Sequence, residues 1–207
     1  MKLPGPICFF TGLLPIDLGT LCRNASPLPA PTGVKPPKAR NTPQFAYRGL
    51  LFPLEHRPVL SYRTGGRRFG ARRAGGTRKH AGIDLIAPVG TPIQAVADGT
   101  VIQFYLFYLG SYAVEVNHGN FICRYCEVQD PSEQIDMGGK VQRGQVIAKV
   151  GSLEGSSRSM LHLEMYCSTA SPRKSPLTIK SNPPFQRRKD LIDPTPSMDA
   201  ATTEKIK

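Results

Sequence analysis

Three side chains with metal-ligating chemistry sit in two short stretches of this 207-residue sequence. HAGID supplies His80 and Asp84 with Gly82 between them, and SMLHLEMY supplies His162. Two imidazoles and one carboxylate make a donor set for a single zinc ion with a fourth position open to water, which is how catalytic rather than structural zinc sites are built. Zinc held this way lowers the pKa of its water toward ~7 and polarises a carbonyl, as hydrolysis at neutral pH requires. Taken singly, a histidine on a strand is ordinarily a hydrogen-bonded surface or core residue. The ordered pairing of HxGxD with a downstream LHLE lifts these residues above that reading.

Those side chains need strands to position them. Alternation over residues 159–166 puts Met160, His162 and Glu164 on one face and Leu161, Leu163 and Met165 on the other. One face is then a polar floor and the other a core face. Glu164 is placed to orient His162 by a hydrogen bond, with a plain surface position as the competing reading. From residue 81 to 166, short runs of Val, Ile, Tyr and Phe alternate with the turn signals PVGTP, ADGT, NHGN, DMGG, QRGQ and LEGSS. Strands are expected at 91–97, 99–106, 111–117, 120–127, 146–150 and 160–166. Helical periodicity is absent. The expected class is mainly β: an antiparallel sandwich or open barrel with loop-rich or disordered extensions at both ends.

The organisation follows from composition. Residues 1–43 form an apolar segment and a Pro-rich linker, 44–196 the folded domain with its core at 79–168, and 197–207 a disordered tail. The apolar run ICFFTGLLPIDLGTL is broken by Pro15 and Asp17 and is too short to span a membrane. Lys2 and the small residues of ASPLPA fit a secretory signal, and the sequence leaves that open. RRKDLIDP near the end is expected to form a short helix or a packing segment. Net charge is +12, and between Arg63 and Lys79 there are seven basic residues, five glycines and no acid. That stretch reads equally as a solvated loop and as a groove wall for an anionic ligand. Cys123 and Cys126 form a CxxC within a strand-like run, where i and i+3 face opposite ways, so ordinary strand residues are expected rather than a redox or zinc motif. Five cysteines at irregular spacing do not make a disulfide framework. His118 in the NHGN turn reads as a satisfied or exposed histidine.

The motifs FGAR (ending at Arg72), HAGIDL, APVGTPIQAVADGTV, KVQRGQVIAKVGS and LHLEMY, in that order, resemble the lysostaphin-type, LytM-like zinc endopeptidases, which cut peptide crosslinks or bridges of bacterial peptidoglycan. The resemblance covers roughly residues 50–168. It implies an antiparallel β core, one Zn2+ held by His80, Asp84 and His162 in a long groove, peptidoglycan peptides as partner, and a periplasmic or exported bacterial location. Two positions depart from the family pattern. The family carries a histidine two residues before the last ligand, where this chain has Met160, and another ending a YxH, where RYCEV places Glu127. Met160 cannot donate a charged hydrogen bond or move a proton. Glu127, expected on the strand face of Tyr125 and Cys123, is the candidate general base. Tyr125 and Arg72 are candidate groove residues, with packing roles as alternatives.

Two other readings stand beside the hydrolase. One is an impaired family member that binds metal or wall peptide, or regulates a partner hydrolase, without cutting. The other is a basic nucleic-acid binder, which explains the charge; yet no aromatic-interleaved platform or reader motif is present, so no specific nucleic acid is expected.

Overall fold

The computed structural model describes residues 46–167 and 176–206. The expected signal segment and the whole of the Pro-rich linker lie outside the described residues. The strands are β1 (Arg72–Arg73), β2 (Arg78–Lys79), β3 (Ile83–Ile86), β4 (Pro92–Gln94), β5 (Gly99–Tyr108), β6 (Ser111–Asn117), β7 (Ile122–Val128), β8 (Lys140–Val141), β9 (Val146–Lys149), β10 (Met160–Tyr166) and β11 (Leu191–Ile192), followed by one helix, α1 (Thr195–Ala200). The main sheet runs β11-β10-β7-β6-β5-β8, and β3 also pairs with β10. Every pairing between these strands is antiparallel. β4 and β9 form a separate pair, as do β1 and β2. The mainly β antiparallel class read from the sequence is the one observed.

Alternation builds the core. Ile83 and Leu85 of β3, Val114 and Val116 of β6, Cys123 and Tyr125 of β7, and Leu161, Leu163 and Met165 of β10 all enter one buried cluster. The opposite face has a small apolar cluster of Ile122, Tyr166 and Leu177 at one end and is polar at its centre. There Arg124 lies directly across from Glu164, and both are fully buried. The two cysteines of the CxxC are free; Cys123 enters the core, while Cys126 lies on the polar face within reach of the charges of Arg124 and Glu164. His118 is buried and satisfied: its Nδ1 donates to the Asp98 carbonyl at 3.0 Å, and its Nε2 faces the Tyr125 hydroxyl at 3.3 Å.

At the C-terminal end one expectation takes its packing-segment alternative rather than the helix, and another is corrected. RRKDLIDP contributes β11, which pairs with the end of β10 through Met165–Ile192 and Tyr166–Leu191. The tail beyond Pro196 is not disordered over its described residues. α1 buries Met198 and Ser197 completely, and Thr202 exchanges backbone hydrogen bonds with Leu50 and Phe52 at 3.0 and 2.7 Å. Arg57 closes the end of α1, donating to the carbonyls of Met198 (2.9 Å) and Ala201 (2.7 Å), where a cation also complements the helix dipole. The tail's polar composition suggested solvent, but a buried methionine, a backbone exchange, Arg57 and the contacts of Tyr62 and Arg63 with Asp199 anchor it.

Candidate active site

The site forms where β3 and β10 lie side by side. Their register sets Asp84 opposite His162. Gly82 permits the approach, because a Cβ there would collide with the Leu163 carbonyl oxygen and sit 3.0 Å from the His162 ring. That is the physical reason for the glycine inside HxGxD. His80 precedes β3 and is held by the segment before it: Gly70 N–H donates to the His80 carbonyl at 2.9 Å, and His80 N–H donates to the Ala71 carbonyl at 2.8 Å. FGAR therefore acts as a backbone clamp on the first histidine.

Each imidazole is fixed by its outer nitrogen. His80 Nδ1 donates to the Arg68 carbonyl at 2.9 Å, leaving Nε2 facing inward. His162 Nε2 donates to Glu164 Oε1 at 3.0 Å, leaving Nδ1 facing inward. These two nitrogens are 3.0 Å apart, and Asp84 Oδ1 is 2.9 Å from each. All three residues are buried. Three lone pairs converging at this range, shielded from water, repel unless a cation sits among them. In the metal-free chain that cation is a proton. Burial by itself lowers the pKa of His162, but hydrogen bonds to Asp84 and Glu164 outweigh it and raise the value to about 9. Burial disfavours the Asp84 carboxylate, yet hydrogen bonds from His162 and His80 outweigh this and hold it well below the usual range. A divalent ion fits the same point. Tetrahedral coordination at about 2.0–2.1 Å places donor atoms about 3.3 Å apart, so only a few tenths of an ångström of relaxation is needed.

Support extends outward through Glu164. This fully buried carboxylate also accepts from Arg124, Tyr166 and Arg187, the last at 2.9 Å. Burial works against its charge, but Arg124 outweighs that and keeps it ionised. Asp84 Oδ2, the oxygen turned away from the imidazoles, accepts from Arg73 Nη2 at 3.2 Å.

Glu127 reaches the site by a route that alternation does not describe. The β6–β7 register shifts between Tyr112 and Ala113, a β-bulge, and Glu127 takes φ +64°. Its side chain is therefore not on the face of Tyr125 and Cys123, as strict alternation expects, but lines the groove with His80, Asp84 and His162. Gly151 holds the bulge, its N–H donating to the Glu127 carbonyl at 2.8 Å; a Cβ at Gly151 would press on the Val128 backbone at 2.8 Å. The Glu127 Oε2 atom is buried without a hydrogen-bond partner among the described residues. Burial raises its pKa to about 7, the charge of His162 only partly offsetting this.

The remaining candidates separate. Met160 is half-buried and lines the groove, opposite Ile86. Tyr125 is not a groove residue: it is fully buried in the core, and its hydroxyl accepts the Val96 N–H at 3.1 Å. Arg72 stands exposed on the outer face of the β1–β2 hairpin, and its neighbour Arg73 is the one that enters the groove. Arg73 and Arg187 escaped sequence reasoning. Arg73 was recoverable from hairpin register; nothing local marks Arg187, which arrives from 23 residues beyond Glu164. The groove occupies about 1200 Å³, with Val59, Leu60, Tyr108 and Leu109 among its apolar walls.

Residues 78–174 match peptidase family M23. The chain is 33% identical over 137 residues to the peptidoglycan DD-endopeptidase ShyC of Vibrio cholerae, covering 63% of this chain and 29% of that protein. It is 38% identical over 90 residues to the DD-carboxypeptidase/endopeptidase Mpg of Neisseria meningitidis, covering 42% and 20%. It thus spans less than a third of the length of these curated relatives. Among solved structures, the catalytic domain of the antimicrobial peptidase lysostaphin from Staphylococcus simulans is 22% identical, covering 63% of this chain and 88% of that one, with a TM-score of 0.45.

Proposed function

Because this chain belongs to peptidase family M23, and because two imidazole nitrogens and one carboxylate oxygen meet at a point in it, we propose that it is a zinc-dependent endopeptidase hydrolysing peptide crosslinks of bacterial peptidoglycan. The observation that carries the reading is the convergence of His80, Asp84 and His162, whose ligand atoms lie within 4.8 Å of one another. His80 Nε2, Asp84 Oδ1 and His162 Nδ1 would hold the ion. When bound, it supplies Lewis acidity that makes water nucleophilic at neutral pH and polarises the amide carbonyl. The rest falls to the chain. The Arg68 carbonyl and Glu164 keep each histidine in the tautomer that presents a lone pair inward. Arg73 steadies the outer oxygen of Asp84. Glu127, which ionises at about pH 7, accepts a proton from the attacking water and returns it to the leaving nitrogen as the carbon–nitrogen bond breaks, yielding a carboxylic acid and an amine. The apolar walls near Tyr108 and Leu109 hold the peptide and exclude bulk water. Such a substrate lies outside the cytoplasmic membrane, so the chain works in the periplasm or exported to the wall. Among the described residues no helix is long and apolar enough to cross a membrane.

A second reading is favoured by one observation: Met160 occupies a groove position where the family carries a histidine, and it can neither donate nor move a proton. The chain would then bind metal and wall peptide, or regulate a partner hydrolase, without cutting. Zinc content and muropeptide release from purified sacculi separate the two. Hydrolysis predicts release by the zinc-loaded chain and its loss in His80→Ala and Asp84→Ala. Bound zinc with no release leaves the binding role.

A further inference from the structure

The groove wall nearest the carboxylate ligand is built from like charges set face to face. In the β1–β2 hairpin the register pairs Arg73 with Arg78, and Arg72 with Lys79. Alternation sends the second pair to solvent and the first into the groove, where both arginines are half-buried. Like charges directly opposite on a ladder are destabilising, and a hairpin of two residues per strand has few other contacts to offset them. The chain compensates only partly. Arg73 reaches Asp84 Oδ2 at 3.2 Å, whereas the Arg78 guanidinium has no hydrogen bond or ion pair among the described residues. Arg67, Arg158 and Arg187 also line this groove, and its acids are Asp84 and Glu127 alone. An ion at the metal site neutralises those acids and leaves the wall cationic.

We propose that Arg73 and Arg78 form a carboxylate-binding subsite beside the metal centre, selecting crosslinks whose leaving amine carries a free carboxylate on the same carbon. The inference rests on the hydrolytic reading above and names its substrate class. In such an amide the carboxylate is two bonds from the scissile nitrogen. With the carbonyl at the meeting point of the ligands, that carboxylate falls within a few ångströms of Asp84, where Arg73 stands. A guanidinium takes a carboxylate through two parallel hydrogen bonds, a geometry lysine does not provide. A crosslink through an amine on a plain methylene, as in lysine, or through a glycine bridge, places no charge there.

Two synthetic crosslink fragments test this, identical except that one has the free carboxylate next to the leaving nitrogen and the other its amide. For the zinc-loaded chain, kcat/KM is expected to favour the carboxylate form by roughly tenfold or more, the range of charge-assisted hydrogen bonds. Arg73→Gln and Arg78→Gln should drive that ratio toward one, with the change mainly in KM. A wild-type ratio near one overturns the subsite. So does a variant that slows both fragments by one common factor, because that marks Arg73 as merely positioning Asp84. Zinc stoichiometry and thermal midpoint confirm folding of each variant; if Arg73→Gln does not fold, the unpaired Arg78 carries the test. If neither fragment is cut, calorimetric titration of the zinc-loaded chain decides. Tighter binding of the carboxylate form, lost in the variants, sustains the subsite while the hydrolytic reading falls; equal binding overturns the subsite.

Discussion

Removing the metal should make the protein's stability fall with rising pH, by an amount set at His162. In the chelated chain the meeting point of the three ligand atoms holds a proton, and His162 titrates at about 9 instead of 6.5. A group whose folded pKa is raised contributes stability that is complete below its unfolded value and lost as pH passes the folded one. The window is therefore pH 6.5 to 9. At 1.36 kcal/mol per unit, the loss across it is about 3 kcal/mol, a large share of the ~5–15 kcal/mol that holds a domain together. One other group titrates there: Glu127, raised to about 7, adds to the fall up to about pH 8, so His162 is read from the slope above that. The buried thiols of Cys123 and Cys126 are pushed well above the range by burial. The assay is urea unfolding followed by circular dichroism on chelated protein, in half-unit steps from pH 6.5 to 9.5 at constant ionic strength. The zinc-saturated chain should show no such fall, because its imidazoles bind without the proton. His162→Gln should abolish the slope above pH 8 in the chelated form. A chelated wild type that is flat above pH 8, or a slope surviving there in His162→Gln, refutes the reading of these atoms as a cation site.

The other expectations are briefer. Glu127→Gln should lower muropeptide release by about 10²–10⁴-fold, while raising stability at pH 8 by replacing a buried, unpaired carboxylate with a neutral amide; undiminished release would remove its role as base. Glu164→Gln should weaken zinc binding about 10–100-fold by loosening His162, read by competition with a chromogenic chelator. Gly82→Ala should force β3 away from β10 and lower zinc occupancy even at temperatures where the chain stays folded. Met198→Ala should cost about 2–5 kcal/mol, measured by chemical denaturation; a neutral result would return α1 to the status of a dispensable tail.

Legibility tracked how local each signal was. The ligands were legible because HxGxD and LHLE are short and the alternation of β10 is strict, so facing could be counted. Five of the six expected strands overlap β5, β6, β7, β9 and β10 over nearly their full lengths, four of these being long enough for period two to show, and the sixth contains the shorter β4. β3 has four residues, three of them buried. It pairs only with the half of β10 that precedes β11, and such a segment offers no run of alternation to read. β1, β2, β8 and β11 have two residues each, too few for alternation to show, and β8 and β11 also depend on partners distant in sequence. Glu127 was found through resemblance and misplaced by alternation, because one inserted residue in a strand reverses facing and leaves no composition signal. Arg187 depends on a chain reversal that no local pattern encodes.

The charges around the site are arranged unequally, and the inequality points back to Glu127. Glu164 is buried, but Arg124 and Arg187 meet it, and it does no more than hold a histidine. Asp84 has its outer oxygen on Arg73 and its inner one between two imidazoles. Among the described residues Glu127 alone has a buried side-chain oxygen with no donor, on a residue held at φ +64°. Left-handed backbone costs a non-glycine residue about 1–2 kcal/mol, and an unsatisfied buried polar atom about 1–3 kcal/mol. A glycine at this bulge would relieve the first cost and a leucine the second. A glutamate relieves neither, and what it adds is a proton acceptor near neutrality, in the groove where two nitrogens and an oxygen converge.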